Sequence, residues 1–128
     1  MRFELGRNYT RDEIHAALGG SKQSYLPTVD GRVVCGTFTR HLNPEVPNVV
    51  LAGIGPTIER SAEIFAGQST AVPVFVKKSV NAWEYVGEYR VRQLSRDSRV
   101  IIDRAQAAGR SGEVSLVLFL DRTDGSQR

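Results

Sequence analysis

The stretch that most constrains this chain runs over residues 71–92, AVPVFVKKSVNAWEYVGEYRVR. Its first part, residues 71–76, is almost continuously apolar, the pattern of a strand covered on both faces. Its second part alternates. Trp83, Tyr85, Gly87, Tyr89 and Val91 fall on one face, and Glu84, Val86, Glu88, Arg90 and Arg92 fall on the other. Residues 77–82 between them, with Lys77 and Lys78, read as a short basic connection. Two neighbouring strands of this kind require a sheet with a thoroughly buried layer. A chain of 128 residues can close one domain around such a layer. Two readings of the aromatic face stand side by side. Trp83, Tyr85 and Tyr89 fill a core, as aromatics commonly do, or they form a platform on which a nucleobase stacks, with cations at its rim.

Composition narrows the class. A hydrophobic fraction of 41% and a charged fraction of 24% are those of a soluble globular protein. No apolar run is long enough to span a bilayer, and Met1 is not followed by a signal-type apolar segment, so a cytoplasmic protein without a membrane partner is expected. The single Cys35 excludes an internal disulfide and a multi-cysteine zinc site, and reads as a small buried hydrophobe. A net charge of +3 is compatible with a polyanionic partner. Arg90, Arg92, Arg96, Arg99, Arg104 and Arg110 follow one another with only Glu88, Asp97 and Asp103 against them. That run reads either as a functional basic surface or as a solvated helix and strand edge.

Taken in order, the chain begins with an extended arm over residues 2–8. Thr10 and Glu13 have the spacing of a capping box, with Tyr9 and Ile14 at the staple positions around it, so a helix starts at Thr10. Ile14, Ala17 and Leu18 form its buried stripe, Gly19-Gly20 ends it, and His15 lies beside the stripe as an exposed residue. Residues 21–27 form a polar loop. Asp30-Gly31 signals a hairpin between strands at 25–29 and 32–40, with Gly36 at a bulge or tight bend. A loop over 40–47 leads to a buried strand at 48–52, and Thr57 is placed to cap a helix over 58–66 with Ile58, Ala62 and Phe65 inward. A third helix is expected over 95–108, capped by Ser95 or Ser98, with Ile101, Ala105 and Ala108 inward; the alternative reading of Val100-Ile101-Ile102 is a strand. The last strand, 113–122, is apolar on both faces and hence central. Residues 123–128 read as a disordered polar tail after a single domain over 1–122. The fold class is α+β: a strongly bent mixed β-sheet or small β-barrel with about three flanking helices.

No hydrolytic or redox constellation stands out. The two histidines, His15 and His41, lack metal-ligand spacing. Gly53-x-Gly55 lacks the rest of either phosphate-loop fingerprint. Neither a metal nor a cofactor is expected, and an enzyme is unsupported. What remains is the aromatic and basic set. Trp83, Tyr85, Tyr89 and Tyr25 would hold a flipped or single-stranded base, and Ser21, Gln23 and Asn81 would bond to its edge. Lys22, Lys77, Lys78, Arg90 and Arg92 would take phosphates. Stacking is worth about 1–3 kcal/mol per base. Extruding a base costs a few kcal/mol, so the edge hydrogen bonds are needed to tip the balance.

The pattern F-x-L-G-x-x-Y-x-R-x-E-I-x-x-x-L-G-G-x-x-Q, from Phe3 to Gln23, resembles the opening of the SRA-like domains of McrA-type HNH restriction endonucleases. W-x-Y-V-G-E-Y, from Trp83 to Tyr89, resembles the strand of those domains with an aromatic-x-Gly-Glu pattern. The resemblance spans residues 3–119. It implies a PUA/SRA-like β-barrel that reads modified bases in DNA by flipping them, with DNA favoured over RNA as partner. At the middle strand the family's Y-T-G-E-G, followed by Gly-Asp, corresponds here to Leu51-Ala52-Gly53-Ile54-Gly55-Pro56. The glycine spacing is kept, but the aromatic and the acid are absent, which leaves the identity of the base open. No nuclease motif occurs in these residues, so recognition without cutting is expected, with any cleavage supplied by a separate nuclease subunit. An RNA-binding or nucleotide-like small-ligand barrel and a non-catalytic protein-interaction subunit are the other readings.

Overall fold

The computed structural model describes residues 2–124. In chain order its elements are β1 (Asn8–Tyr9), α1 (Arg11–Leu18), β2 (Thr28–Val29), β3 (Arg32–Val33), β4 (Gly36–Phe38), β5 (Val49–Gly53), α2 (Pro56–Gly67), β6 (Val72–Ser79), β7 (Ala82–Ser95), α3 (Ser98–Ala107) and β8 (Val114–Arg122). The fold is α+β. Its main sheet is six-stranded and mixed, in the order β4-β6-β7-β8-β5, with β1 added onto β7. The β4/β6 pair is parallel and the other pairs are antiparallel. Register shifts interrupt β6/β7, β7/β8 and β5/β8. Such shifts kink strands and increase their twist. Of the two expected forms, the bent sheet is the one present; among the described residues β4 and β5 do not pair, so the barrel is not closed.

The alternation over residues 83–89 holds residue by residue: Trp83, Tyr85, Gly87 and Tyr89 are buried while Glu84, Val86 and Glu88 are partly exposed. The basic connection is shorter than expected. Lys77 and Lys78 belong to β6, and only Val80 and Asn81 turn the chain. Asn81 takes φ 53°, the left-handed conformation that a tight hairpin turn demands. The Asp30-Gly31 turn joins strands of two residues each, and β4 then peels off to join the main sheet. Gly36 lies in β4 with no room for a side chain, since a Cβ there would sit 2.5 Å from the Phe38 ring.

The helices are sealed by local chemistry. Thr10 and Glu13 form the reciprocal capping box, and the staple residues Tyr9 and Ile14 are both buried in one cluster. α2 starts earlier than expected: Pro56 is its first residue and Gly55 its cap, while Thr57 lies inside the first turn. A proline is well placed there, because the first helical N–H has no partner to lose. α3 is capped by Asp97, whose carboxylate accepts from the amides of Arg99 and Val100. The main core gathers Phe38, Phe65, Val74, Val76, Leu116, Leu118 and Tyr89 under α2. A second cluster under α1 holds Tyr9, Ile14, Cys35, Phe75, Trp83 and Tyr85, with Phe3 packed against it. Of the expected tail, residues 125–128 lie outside the described residues. Thr123 and Asp124 are described, and both bond to Glu88. Among the described residues no helix is long and apolar enough to cross a membrane.

Candidate functional site

The loop after α1 forms one wall of a cleft, and its shape is set by short-range hydrogen bonds. Gly19 and Gly20, both at φ 81°, turn the chain out of the helix, and a Cβ on Gly20 would lie 2.8 Å from Pro27. Ser21 Oγ then accepts from the amides of Gln23 and Ser24 at 3.0 and 3.1 Å. Arg11 reaches across from the first turn of α1, and its Nη2 donates to the carbonyls of Ser21 and Ser24 at 3.0 and 3.2 Å. Its guanidinium lies 5.1 Å from the Trp83 ring centroid. Asn81, at the tip of the β6–β7 hairpin, accepts from the Arg11 amide at 3.0 Å and so ties the hairpin to the start of α1.

The opposite wall is the loop over residues 39–48 with the end of β5 and the first turns of α2. Asn43 is buried, and its Oδ1 accepts from the Leu51 amide at 2.8 Å. Arg110 Nη1 donates to the carbonyls of Leu42 and Leu51 at 2.8 and 3.1 Å. Each wall is thus held by one arginine that bridges two backbone carbonyls. Burial lowers the pKa of both guanidinium groups, and the Nε of each is sealed from solvent without a partner. Leaving such a donor unpaired costs about 1–3 kcal/mol, so the sheet and loops around the cleft hold these side chains against a local penalty.

Between the walls lies a cavity of about 480 Å³, lined chiefly by Tyr25, Leu42, Leu51, Ile58, Gln23 and Arg110. An adjoining hollow of about 330 Å³ shares Gln23, Tyr25, Leu42 and Asn43 with it and is closed by Arg11, Lys22 and Trp83. These volumes lie in the range of small-ligand sites, and apolar walls with a few polar groups are their usual construction. The Tyr25 hydroxyl donates to the Ile58 carbonyl at 2.6 Å and bridges the walls. Burial first, and then the nearby Glu59, raise its pKa well above the ordinary phenol value.

The sequence-selected residues separate into three groups. Ser21, Gln23 and Tyr25 line the larger cavity, and Lys22 and Trp83 line the smaller one. Asn81 and Lys77 stand beside them, Asn81 on the α1 amide and Lys77 with its ammonium 5.8 Å from the Trp83 ring. Tyr85 and Tyr89, by contrast, belong to the packed interior. The Tyr85 hydroxyl donates to Glu88 at 2.5 Å, and Tyr89 is part of the main core.

Of the expected phosphate contacts, Lys22 pairs with Asp12 at 2.9 Å, Lys78 with Glu84 at 3.4 Å and Arg92 with Asp121 at 3.3 Å. Arg90 and Arg92 border a separate depression beside Gly67 and Gln68. That is the far end of α2 from the cleft, and a helix of 12 residues is about 18 Å long. Sequence reasoning missed Arg11, Leu42, Asn43, Ile58 and Arg110. Ile58 had been expected inward but is 37% exposed and faces the cavity. Among the described residues no group of three or more His, Cys, Asp or Glu is placed to hold a metal ion.

No curated protein matches the chain in sequence. Solved structures do match in fold. The SUVH5 SRA domain, crystallised with hemimethylated CG DNA, superposes with a TM-score of 0.64 at 16% identity, over 100% of this chain and 94% of that one. The Type IV phosphorothioation-dependent restriction endonuclease ScoMcrA superposes with a TM-score of 0.53 at 16% identity. That match takes in 94% of this chain but 28% of the endonuclease, so the likeness is to one part of a larger protein. The fold is therefore SRA-like, as the two sequence patterns implied. A family model matches residues 8–99, from β1 to the first turn of α3, and the chain belongs to that family, described as Domain of unknown function (DUF6697).

Proposed function

We propose that this domain is a nucleic-acid-binding module that reads modified bases in DNA and has no catalytic activity of its own. The observation that carries the reading is the cleft between residues 21–25 and the start of α2, in a fold shared with an SRA domain crystallised on DNA. In the reading, a base leaves its duplex and enters between Tyr25, Leu42 and Ile58. Tyr25 supplies the aromatic contact, and Lys22 and Lys77 meet the backbone at the rim. Extrusion costs a few kcal/mol, which one aromatic contact of about 1–3 kcal/mol offsets only in part. The polar groups of the walls supply the rest. Cleavage, where it occurs, belongs to a separate nuclease subunit.

The test is a fluorescence anisotropy titration against plain and modified duplexes of one sequence at several salt concentrations. A reader keeps its preference for a modified duplex as salt rises, whereas a merely basic surface shows a steep salt slope and no preference. The apolar walls favour one second reading, a free nucleotide-like ligand in the same cavity. It predicts that a mononucleoside alone saturates the site.

A further inference from the structure

The smaller hollow, of about 330 Å³, gathers groups that the base site described above does not use. Trp83 lines it and is only 7% exposed. Its indole N–H is nevertheless not sealed from solvent, and it has no acceptor among the described residues. An indole nitrogen can only donate. Arg11 also has a donor to spare. Its Nη2 holds the Ser21 and Ser24 carbonyls, while Nη1 is unsealed and without a partner among the described residues. The charges are out of balance too. The Arg11 guanidinium lies 5.1 Å and the Lys77 ammonium 5.8 Å from the Trp83 ring centroid. Neither is paired with a carboxylate among the described residues. Lys22, the third cation, pairs with Asp12 at 2.9 Å, and no carboxylate lines the hollow. Gln23 and Thr39 line the same space, and each can turn a donor toward an incoming oxygen.

We infer that this hollow seats a phosphate oxyanion, held by the Trp83 indole N–H and the Arg11 guanidinium, with Lys22 and Lys77 at its edge. The anion supplies what the site lacks, an acceptor for the covered indole and a negative charge between two cations that share one ring. The hollow shares Gln23, Tyr25, Leu42 and Asn43 with the larger cavity. One nucleotide therefore spans both, its base in the larger space and its phosphate in the smaller. That the phosphate belongs to a DNA strand rests on the reader function proposed above. Hydrogen bonds between a cation and a phosphate are among the stronger ones, but they carry no sequence information. The seat fixes the strand whichever base is turned in.

Trp83 is the only tryptophan of the chain, so its indole N–H gives a single resonance in a proton–nitrogen correlation spectrum. Titration with a duplex carrying one 5-methylcytosine, and with the same duplex unmodified, is expected to shift that resonance in step with the anisotropy. Inorganic phosphate at high concentration is expected to shift it in the same direction. Trp83→Phe keeps a ring and removes the donor. It is expected to weaken binding of both duplexes roughly tenfold, the scale of one hydrogen bond to a charged group. Lys77 is exposed, and Lys77→Gln is expected to lower the slope of log affinity against log salt by about 0.9. If Trp83→Phe does not fold, the wild-type resonance and Lys77→Gln decide. If a duplex binds and the resonance stays in place, the seat is wrong and the reader function is untouched. If inorganic phosphate shifts the resonance but neither duplex binds, the assignment to a DNA strand is overturned together with the reader function. If nothing binds and nothing shifts, both fail.

Discussion

Two aromatic regions of this molecule have opposite fates. At the hairpin end of β6 and β7, Phe75 and Tyr85 pair across the two strands beneath the N-terminal arm and α1, and Trp83 beside them lines the smaller hollow. Phe3 meets Tyr9 and Phe75 edge-on at 5.0 and 4.9 Å, and Phe75 stands 5.6 Å from Tyr85. In the cleft, Tyr25 sits on an irregular loop. Its ring packs on the core, 6.5 Å from Phe38, and also borders the cavity together with Leu42 and Ile58, which are 45% and 37% exposed. A strand face repeats every second residue, so one amphipathic helix can cover the whole row. A loop offers no such row. The difference teaches that in this fold the richest aromatic stretch stabilises the sheet, while a lone aromatic on a loop borders the open space.

The sharpest way to break the comparison is Phe75→Ala, which removes a side chain that is 0% exposed. It is expected to cost about 3–5 kcal/mol, read from the urea midpoint; a cost near zero would mean that the hairpin cluster is not a core. Cys35 probes the same cluster by pH. Burial pushes its thiol up to about 12 from 9.0, with Arg11 opposing. The unfolded thiol ionises first, so this group leaves stability unchanged below about 9 and lowers it as pH rises from there towards about 12. The offset between thermal melts of the wild type and Cys35→Ala should be constant below pH 9 and shift in favour of the variant only above it.

On the cleft side, Tyr25→Ala should weaken binding to a modified duplex by about 1–3 kcal/mol, whereas Tyr25→Phe keeps the ring and should change binding much less. Equal losses from both would assign the effect to the Ile58 bridge instead of the ring. Thr10→Ala, which opens the capping box over α1, should lower the melting stability by about 1 kcal/mol. Leu42→Ser should fall within about 0.5 kcal/mol in stability and still reduce duplex affinity, which separates cleft from core most directly.

Much of the frame was legible because its causes are local. The capping box at Thr10 and Glu13, the Asp30-Gly31 turn and the alternation through Tyr89 each depend on residues within a few positions, and each formed as expected. Ser21, Gln23 and Tyr25 were legible as cleft residues because a Gly-Gly exit followed by polar side chains marks a loop that cannot be buried. Arg110 was not legible as one. It carries the sign of the basic run around it, yet Arg92, Arg96 and Arg104 pair with Asp121, Glu63 and Glu45 while Arg110 turns inward to Leu42 and Leu51. Nothing within its own segment announces partners some sixty residues away.

The sequence by itself determined the strands, the caps and which side chains face together, because hydrophobic period and capping act over one or two turns of chain. Only the tertiary structure decided which of those faces was sealed. The N-terminal arm closes over Phe75 and Tyr85 while Trp83 still lines the smaller hollow, and two arginines each hold one wall beside Tyr25, through contacts between segments that no local pattern specifies.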